Sequence, residues 1–124
     1  MQPDLFSNLE GKKGKQYFTR EFEKAINALN DKQKEAVETI EGPVMVIAGP
    51  GTGKTQLLAA RIGRILKEGV AEYHNILCLT YTDAGSVAMR QRLLQFIGPD
   101  AYNVNIFTFH SFCNLIIKEN IEYF

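Results

Sequence analysis

A chain of 124 residues suffices for one domain and no more, and folding buries roughly two-thirds of the surface that the unfolded chain exposes. Lys plus Arg and Asp plus Glu stand at 14 each, so the formal net charge is zero and bulk electrostatics favour no polyanionic or polycationic partner. Apolar content of 45% is ordinary for a globular protein, and no apolar run nears the ~20 residues of a membrane-spanning helix.

Residues 1–16 mix Pro3, Asn8, Gly11 and Gly14 with lysines at 12, 13 and 15, without periodicity, and are expected to be a flexible leader. The start Met1-Gln2-Pro3-Asp4 lacks the pattern of a signal peptide, which implies a cytoplasmic protein. From 18 to 29, Phe18, Phe22, Ala25, Ile26 and Leu29 follow the 3-to-4 spacing of an amphipathic helix. A second helix is expected from Asn30, an N-cap with Gln33 at the third helical position. Ala36, Val37 and Ile40 form its inner face, and Gly42-Pro43 stops it. Three strand–helix units come next: strand 44–47 with helix 54–67, strand 76–81 with helix 84–97, and strand 104–107 with helix 109–120. The third strand apart, these are near-continuous apolar runs. The alternation predicts an α/β fold, a parallel sheet with helices on both faces. Cys78 and Cys113, each among apolar neighbours and without further ligands at fixed spacing, are expected to be packed, reduced thiols.

Ligands of such sheets bind beyond the carboxyl ends of the strands. The first exit reads Ala48-Gly49-Pro50-Gly51-Thr52-Gly53-Lys54-Thr55, between an apolar strand and an amphipathic helix, which is the context of a P-loop. Its glycines let backbone N–H groups turn inward toward phosphate oxygens, aided by the positive end of the following helix. Lys54 is placed for the β- and γ-phosphates and the Thr55 hydroxyl for Mg²⁺, so a nucleoside triphosphate with Mg²⁺ is the expected ligand.

The second exit is Thr80-Tyr81-Thr82-Asp83 and the third Thr108-Phe109-His110-Ser111-Phe112. Hydroxyls at a helix N-terminus suit backbone phosphates of a nucleic acid, and Tyr81 and Phe109 stand where a splayed base could stack. The same residues also fit a structural role, with Thr82, Asp83 or Thr108 as helix caps, Phe109 and Phe112 in the core and His110 a structural histidine. Between Tyr81 and Phe124 cationic side chains occur only at 90, 92 and 118, so a basic stripe is missing.

Four segments, in order, make the chain resemble the N-terminal part of superfamily 1A DNA helicases, the UvrD/Rep/PcrA group. Leu29 to Val37 looks like the Q motif, which puts adenine recognition on Gln33. Ala48 to Thr55 matches motif I, including the alanine that the family uses at its first position. Residues 79–90 resemble motif Ia and 107–113 motif Ib, the segments that contact single-stranded DNA in the family, so Tyr81, Thr82, Thr108, Phe109, His110 and Ser111 become DNA-contact candidates. The resemblance covers about residues 28–119. It implies a RecA-like P-loop NTPase fold, with 17–124 as the N-terminal part of ATP-binding domain 1A. It also implies ATP and Mg²⁺ as cofactors and ATP-driven 3′–5′ movement along DNA.

Departures matter as much. Motif Ia in the family usually reads Thr-Phe-Thr-Asn-Lys, whereas this chain has Tyr81, Asp83 and Ala84, which keeps an aromatic ring but loses a cation beside any phosphate. Gln56 stands where the family often has an arginine near the base. Glu119 and Glu122 follow no apolar strand, so the acidic Walker B residue, and the second RecA-like domain, are expected further along a longer helicase. The 124 residues alone are then inactive, and the strand at 44–47 should be an open sheet edge prone to self-association. A small P-loop kinase, which would need an arginine-rich lid, and a non-catalytic nucleotide-binding module are the rival readings.

Overall fold

Side-chain caps decide where most helices begin. The computed structural model describes residues 18–50 and 53–124; the expected leader, and Gly51 and Thr52 of the loop, lie outside these. Helix α1, Arg20–Asn27, opens on Thr19, whose hydroxyl accepts the Phe22 N–H. Helix α2, Asp31–Glu38, opens on a reciprocal capping box between Asn30 and Gln33. Helix α3, Lys54–Glu68, follows Gly53 and has no side-chain cap. Helices α4, Asp83–Ile97, and α5, Phe109–Glu119, open on Thr82 and Thr108, which accept the N–H groups of Gly85 and Ser111.

Strands β1, Leu77–Thr80, and β2, Asn105–Thr108, form a two-stranded parallel sheet with Cys78 opposite Ile106 and Thr80 opposite Thr108. The crossover between them is α4, which packs on α1, α3 and both strands. From α4, the Arg90 guanidinium donates to the carbonyls of Ala101 and Val104, at 2.6 and 2.7 Å, and so fixes the turn that leads into β2.

The core centres on Phe22, Val37, Leu93, Phe96, Ile97 and Val104, all essentially inaccessible to solvent. Phe22 meets Phe18 at 5.1 Å and Phe96 at 5.7 Å between ring centroids. Its ring lies on Gly63 of α3, where a Cβ would come within 2.5 Å of the Phe22 ring edge. Only glycine lets the two helices approach this closely.

The expected strand 44–47 is not formed. Met45 and Ile47 are 84% and 91% exposed, and among the described residues no strand lies beside the segment. A parallel strand exists only through its ladder, so apolar character without a paired neighbour leaves the segment outside any regular element. The sheet is therefore smaller than expected, and its covering is uneven. Helix α5 touches both strands but buries none of its residues, leaving Leu115, Ile116 and Ile117 more than one-third exposed. One smaller expectation also fails: only Cys78 is a packed thiol, Cys113 being exposed.

Candidate functional site

Gly53 has φ 73° and ψ 36°, a left-handed conformation that turns the loop straight into α3. The first intrahelical bond in the following turn runs from the Leu57 N–H to the Gly53 carbonyl at 2.9 Å. The N–H groups of the first turn consequently have no intrahelical acceptor and no side-chain cap, at the positive end of a 15-residue helix. Lys54 and Thr55 are exposed there and Gln56 is half-buried. Ala48 is half-buried, while Gly49 and Pro50 are exposed. Free N–H groups at a helix N-terminus are the kind of donors that suit an anion.

Behind the loop lies a cleft of about 300 Å³, lined by Val44, Val46 and Ala48 on one wall and by Lys54, Leu57, Leu58 and Arg61 of α3 on another. Ala36 of α2 closes it. Alternate residues of the segment thus border the cleft opposite α3, the period of a strand without its ladder.

Gln33 lies one turn before Ala36 on α2. Its side-chain oxygen accepts the Asn30 N–H at 2.9 Å, and its own N–H donates to the Asn30 side-chain oxygen at 2.9 Å. The amide oxygen is thereby held at the cap, and Gln33 is not among the residues that line the cleft.

At the other two exits, capping and ring exposure occur together. Thr82 and Thr108 are N-caps, the structural role weighed from sequence. The Thr108 hydroxyl also donates to the Ser111 hydroxyl at 2.8 Å, so the Ser111 proton is left for another acceptor. Phe112 is half-buried against Phe107 at 6.0 Å. Tyr81 and Phe109, in contrast, are 88% and 42% exposed with ring centroids 5.2 Å apart. Strand register brings them together: Thr80 pairs with Thr108, so the next residue of each chain segment leaves the sheet side by side. His110 is exposed beside them.

Two contacts of these regions escaped the sequence reading. Thr80 meets Ser86 through their hydroxyls at 2.6 Å, tying β1 to the first turn of α4. Arg61 of α3 donates to the Thr39 carbonyl, the C-cap of α2, at 2.9 Å. The first could have been found from paired small hydroxyl residues at a strand exit; nothing in the local pattern signals the second.

Burial raises the Cys78 thiol above its ordinary range, with Arg90 opposing the shift, so this group stays a neutral thiol and takes no part in the site. Among the described residues no cluster of three or more His, Cys, Asp or Glu could hold a metal ion.

Residues 29–124 match the family model described as the UvrD/REP helicase N-terminal domain. Over 97 residues, 78% of this chain, it is 41% identical to DNA helicase II of Rickettsia typhi and 38% identical to the ATP-dependent DNA helicase PcrA of Bacillus subtilis. It is 36% identical to PcrA of Staphylococcus aureus over the same length. The chain spans only 13–14% of the length of these relatives. The chain belongs to the UvrD/REP helicase N-terminal domain family.

Proposed function

We propose that this chain is the nucleotide-binding opening of an ATP-dependent 3′–5′ DNA helicase, the N-terminal part of a RecA-like P-loop domain. The observation that carries the reading is Gly53: a left-handed glycine feeds an uncapped helix N-terminus whose first two side chains, Lys54 and Thr55, are exposed to solvent. That arrangement fits a polyphosphate. Residues Ala48 to Gln56 would line it, Lys54 neutralising charge on the β- and γ-phosphates and the Thr55 hydroxyl offering an oxygen to Mg²⁺. The bound Mg²⁺ would neutralise phosphate charge. Gln33 would read the adenine edge through its amide.

Single-stranded DNA is the second proposed ligand. The Tyr81–Phe109 pair offers a two-ring surface on which a base stacks, and Thr82, Thr108, His110 and Ser111 surround it at two helix N-termini. Thr82 and Thr108 act mainly by holding those helices, and Ser111 has the hydroxyl proton to give. An exposed aromatic platform favours the helicase over a small-molecule kinase. The chain alone should bind nucleotide without hydrolysing it, since neither β1 nor β2 ends in a carboxylate that could orient water. Among the described residues no helix is long and apolar enough to cross a membrane.

Calorimetry with Mg·ATP tests the nucleotide reading. The unmodified chain is expected to bind, with ATP at a hundredfold excess over its Kd adding about 2.7 kcal/mol and raising Tm by several degrees. Lys54→Ala should remove most of that rise. Absence of any shift at millimolar ATP overturns the reading, and steady ATP turnover stimulated by DNA overturns the proposed inactivity.

A further inference from the structure

Helix α2 is eight residues long, too short to persist on its own, yet it carries Gln33. It is held at three points. The Asn30–Gln33 box closes its N-terminus, Val37 is buried under it, and Arg61 of α3 grips the carbonyl of Thr39 just past its last residue. The Thr39 hydroxyl donates back to Glu35, so the carbonyl that Arg61 holds belongs to an ordered cap. On α3, Lys54, Leu58 and Arg61 are spaced four and then three residues apart, on one stripe, and all three line the cleft that Ala36 of α2 closes. The lysine proposed for phosphate and the glutamine proposed for the base therefore sit on two helices facing one cleft, joined across it by the Arg61–Thr39 bond.

We infer that Arg61 is a positioning residue that sets the distance between the base-reading helix and the phosphate-binding helix, so that base recognition depends on it while phosphate binding does not. The inference rests on the nucleotide reading above. A guanidinium is suited to the task because its stem packs along the apolar cleft while its planar end reaches a carbonyl on the neighbouring helix. The Arg61 Nε is buried without a hydrogen-bond partner among the described residues, so the link is carried by the Nη2 atom. That orphan donor also means that replacing the guanidinium relieves a buried cost, while the freed Thr39 carbonyl is exposed to water. Arg61→Met should consequently fold.

The test measures Kd for Mg·ATP, Mg·GTP and inorganic tripolyphosphate by calorimetry on the unmodified chain, Arg61→Met and Arg61→Lys. Tripolyphosphate reports the P-loop without a base. Expected for Arg61→Met is an ATP affinity lower by about tenfold, the worth of one charge-assisted hydrogen bond, and an ATP-to-GTP ratio near one. Tripolyphosphate affinity should stay within about twofold on the same scale. Arg61→Lys, which can donate one bond to the same carbonyl, should restore most of the ratio. An unchanged ATP-to-GTP ratio in Arg61→Met overturns the inference, as does an equal loss of ATP and tripolyphosphate, which would make Arg61 a residue of general stability. Equal binding of ATP and GTP by the unmodified chain also overturns it. If the unmodified chain binds neither ATP nor tripolyphosphate, the nucleotide reading itself fails.

Discussion

Replacing Gly63 by alanine sets two known effects against each other at one atom. Alanine is the better helix former, by about 1 kcal/mol in an exposed helix interior. Here the added methyl would lie 2.5 Å from Phe22 Cε2, with Cδ2 and Cζ at 3.1 and 3.2 Å. Carbon atoms rest at ~3.5–4.0 Å, so the ring must retreat by roughly 1 Å. It has nowhere to go: Phe22 is 1% exposed, flanked by Phe18 and Phe96, and Lys67 Nζ lies 5.8 Å from its centroid. Relief requires α1 to slide on α3 as a body, and overpacking of that kind costs up to about 3 kcal/mol. The clash wins. Net destabilisation of about 2 kcal/mol lowers Tm by roughly 6–10 °C for a chain of this size. Thermal unfolding followed by circular dichroism measures it. Phe22→Leu combined with Gly63→Ala should recover at least ~1 kcal/mol relative to the sum of the single changes, because the leucine vacates the contact. A Gly63→Ala chain as stable as the original, or more so, would refute the close approach of α1 and α3 and the placement of Phe22 between them.

Tyr81→Ala should weaken binding of a single-stranded oligonucleotide by ~1–3 kcal/mol, the worth of one stacked base, with little effect on Tm; fluorescence anisotropy reads the first and a melt the second. Thr108→Val keeps the shape of the side chain but loses the cap on α5, and a stability loss of about 1 kcal/mol in urea unfolding is expected. A thiol reagent at neutral pH should modify Cys113 rapidly and spare Cys78 until the chain unfolds, giving one fast equivalent in a spectrophotometric titration. Because burial raises the Cys78 pKa above its unfolded value, its contribution to stability is whole below the unfolded thiol pKa of ~8.5 and is lost as pH rises through the folded one; Cys78→Ala should flatten that alkaline fall in Tm. Finally, we propose that exposed apolar side chains at 44–47 and on α5 make the chain self-associate at micromolar concentration, which sedimentation velocity checks; a monomer throughout refutes it.

Features written locally were legible, and features supplied from a distance were not. Thr82 and Thr108 as caps, the Asn30–Gln33 box and the glycine that starts α3 depend on residues within one turn of each other, and each stands where local spacing places it. Helix limits agree within a residue or two for α3, α4 and α5 for the same reason. Strand limits shifted by one residue, which moved Tyr81 off the end of β1 and into an exposed pair with Phe109. That pair was invisible as a pair, since 28 positions separate its members and only the register of β1 on β2 joins them. The Arg61–Thr39 bond was hidden likewise, by a span of 22 residues and by the absence of any spacing rule for a guanidinium on a carbonyl.

The segment Val44 to Ile47 shows why a correct signal can give a wrong element. Its side chains are apolar on both faces, the mark of a strand buried inside a parallel sheet, and Val44, Val46 and Ala48 do border the cleft opposite α3. Pattern reports the environment a segment is suited to, whereas a ladder requires a second strand in register, and among the described residues none adjoins it. Gly53 and helix α3, just beyond the segment, do not share this dependence. Gly53 adopts its left-handed turn, and α3 presents its uncapped N-terminus, through bonds that close within four residues. The proposed phosphate recognition would therefore rest on the part of the unit that forms without its strand, while the proposed base recognition would rest on α2, which is held in place by α3. The two halves of the proposed nucleotide site differ in what they require, and Arg61 stands at the joint between them.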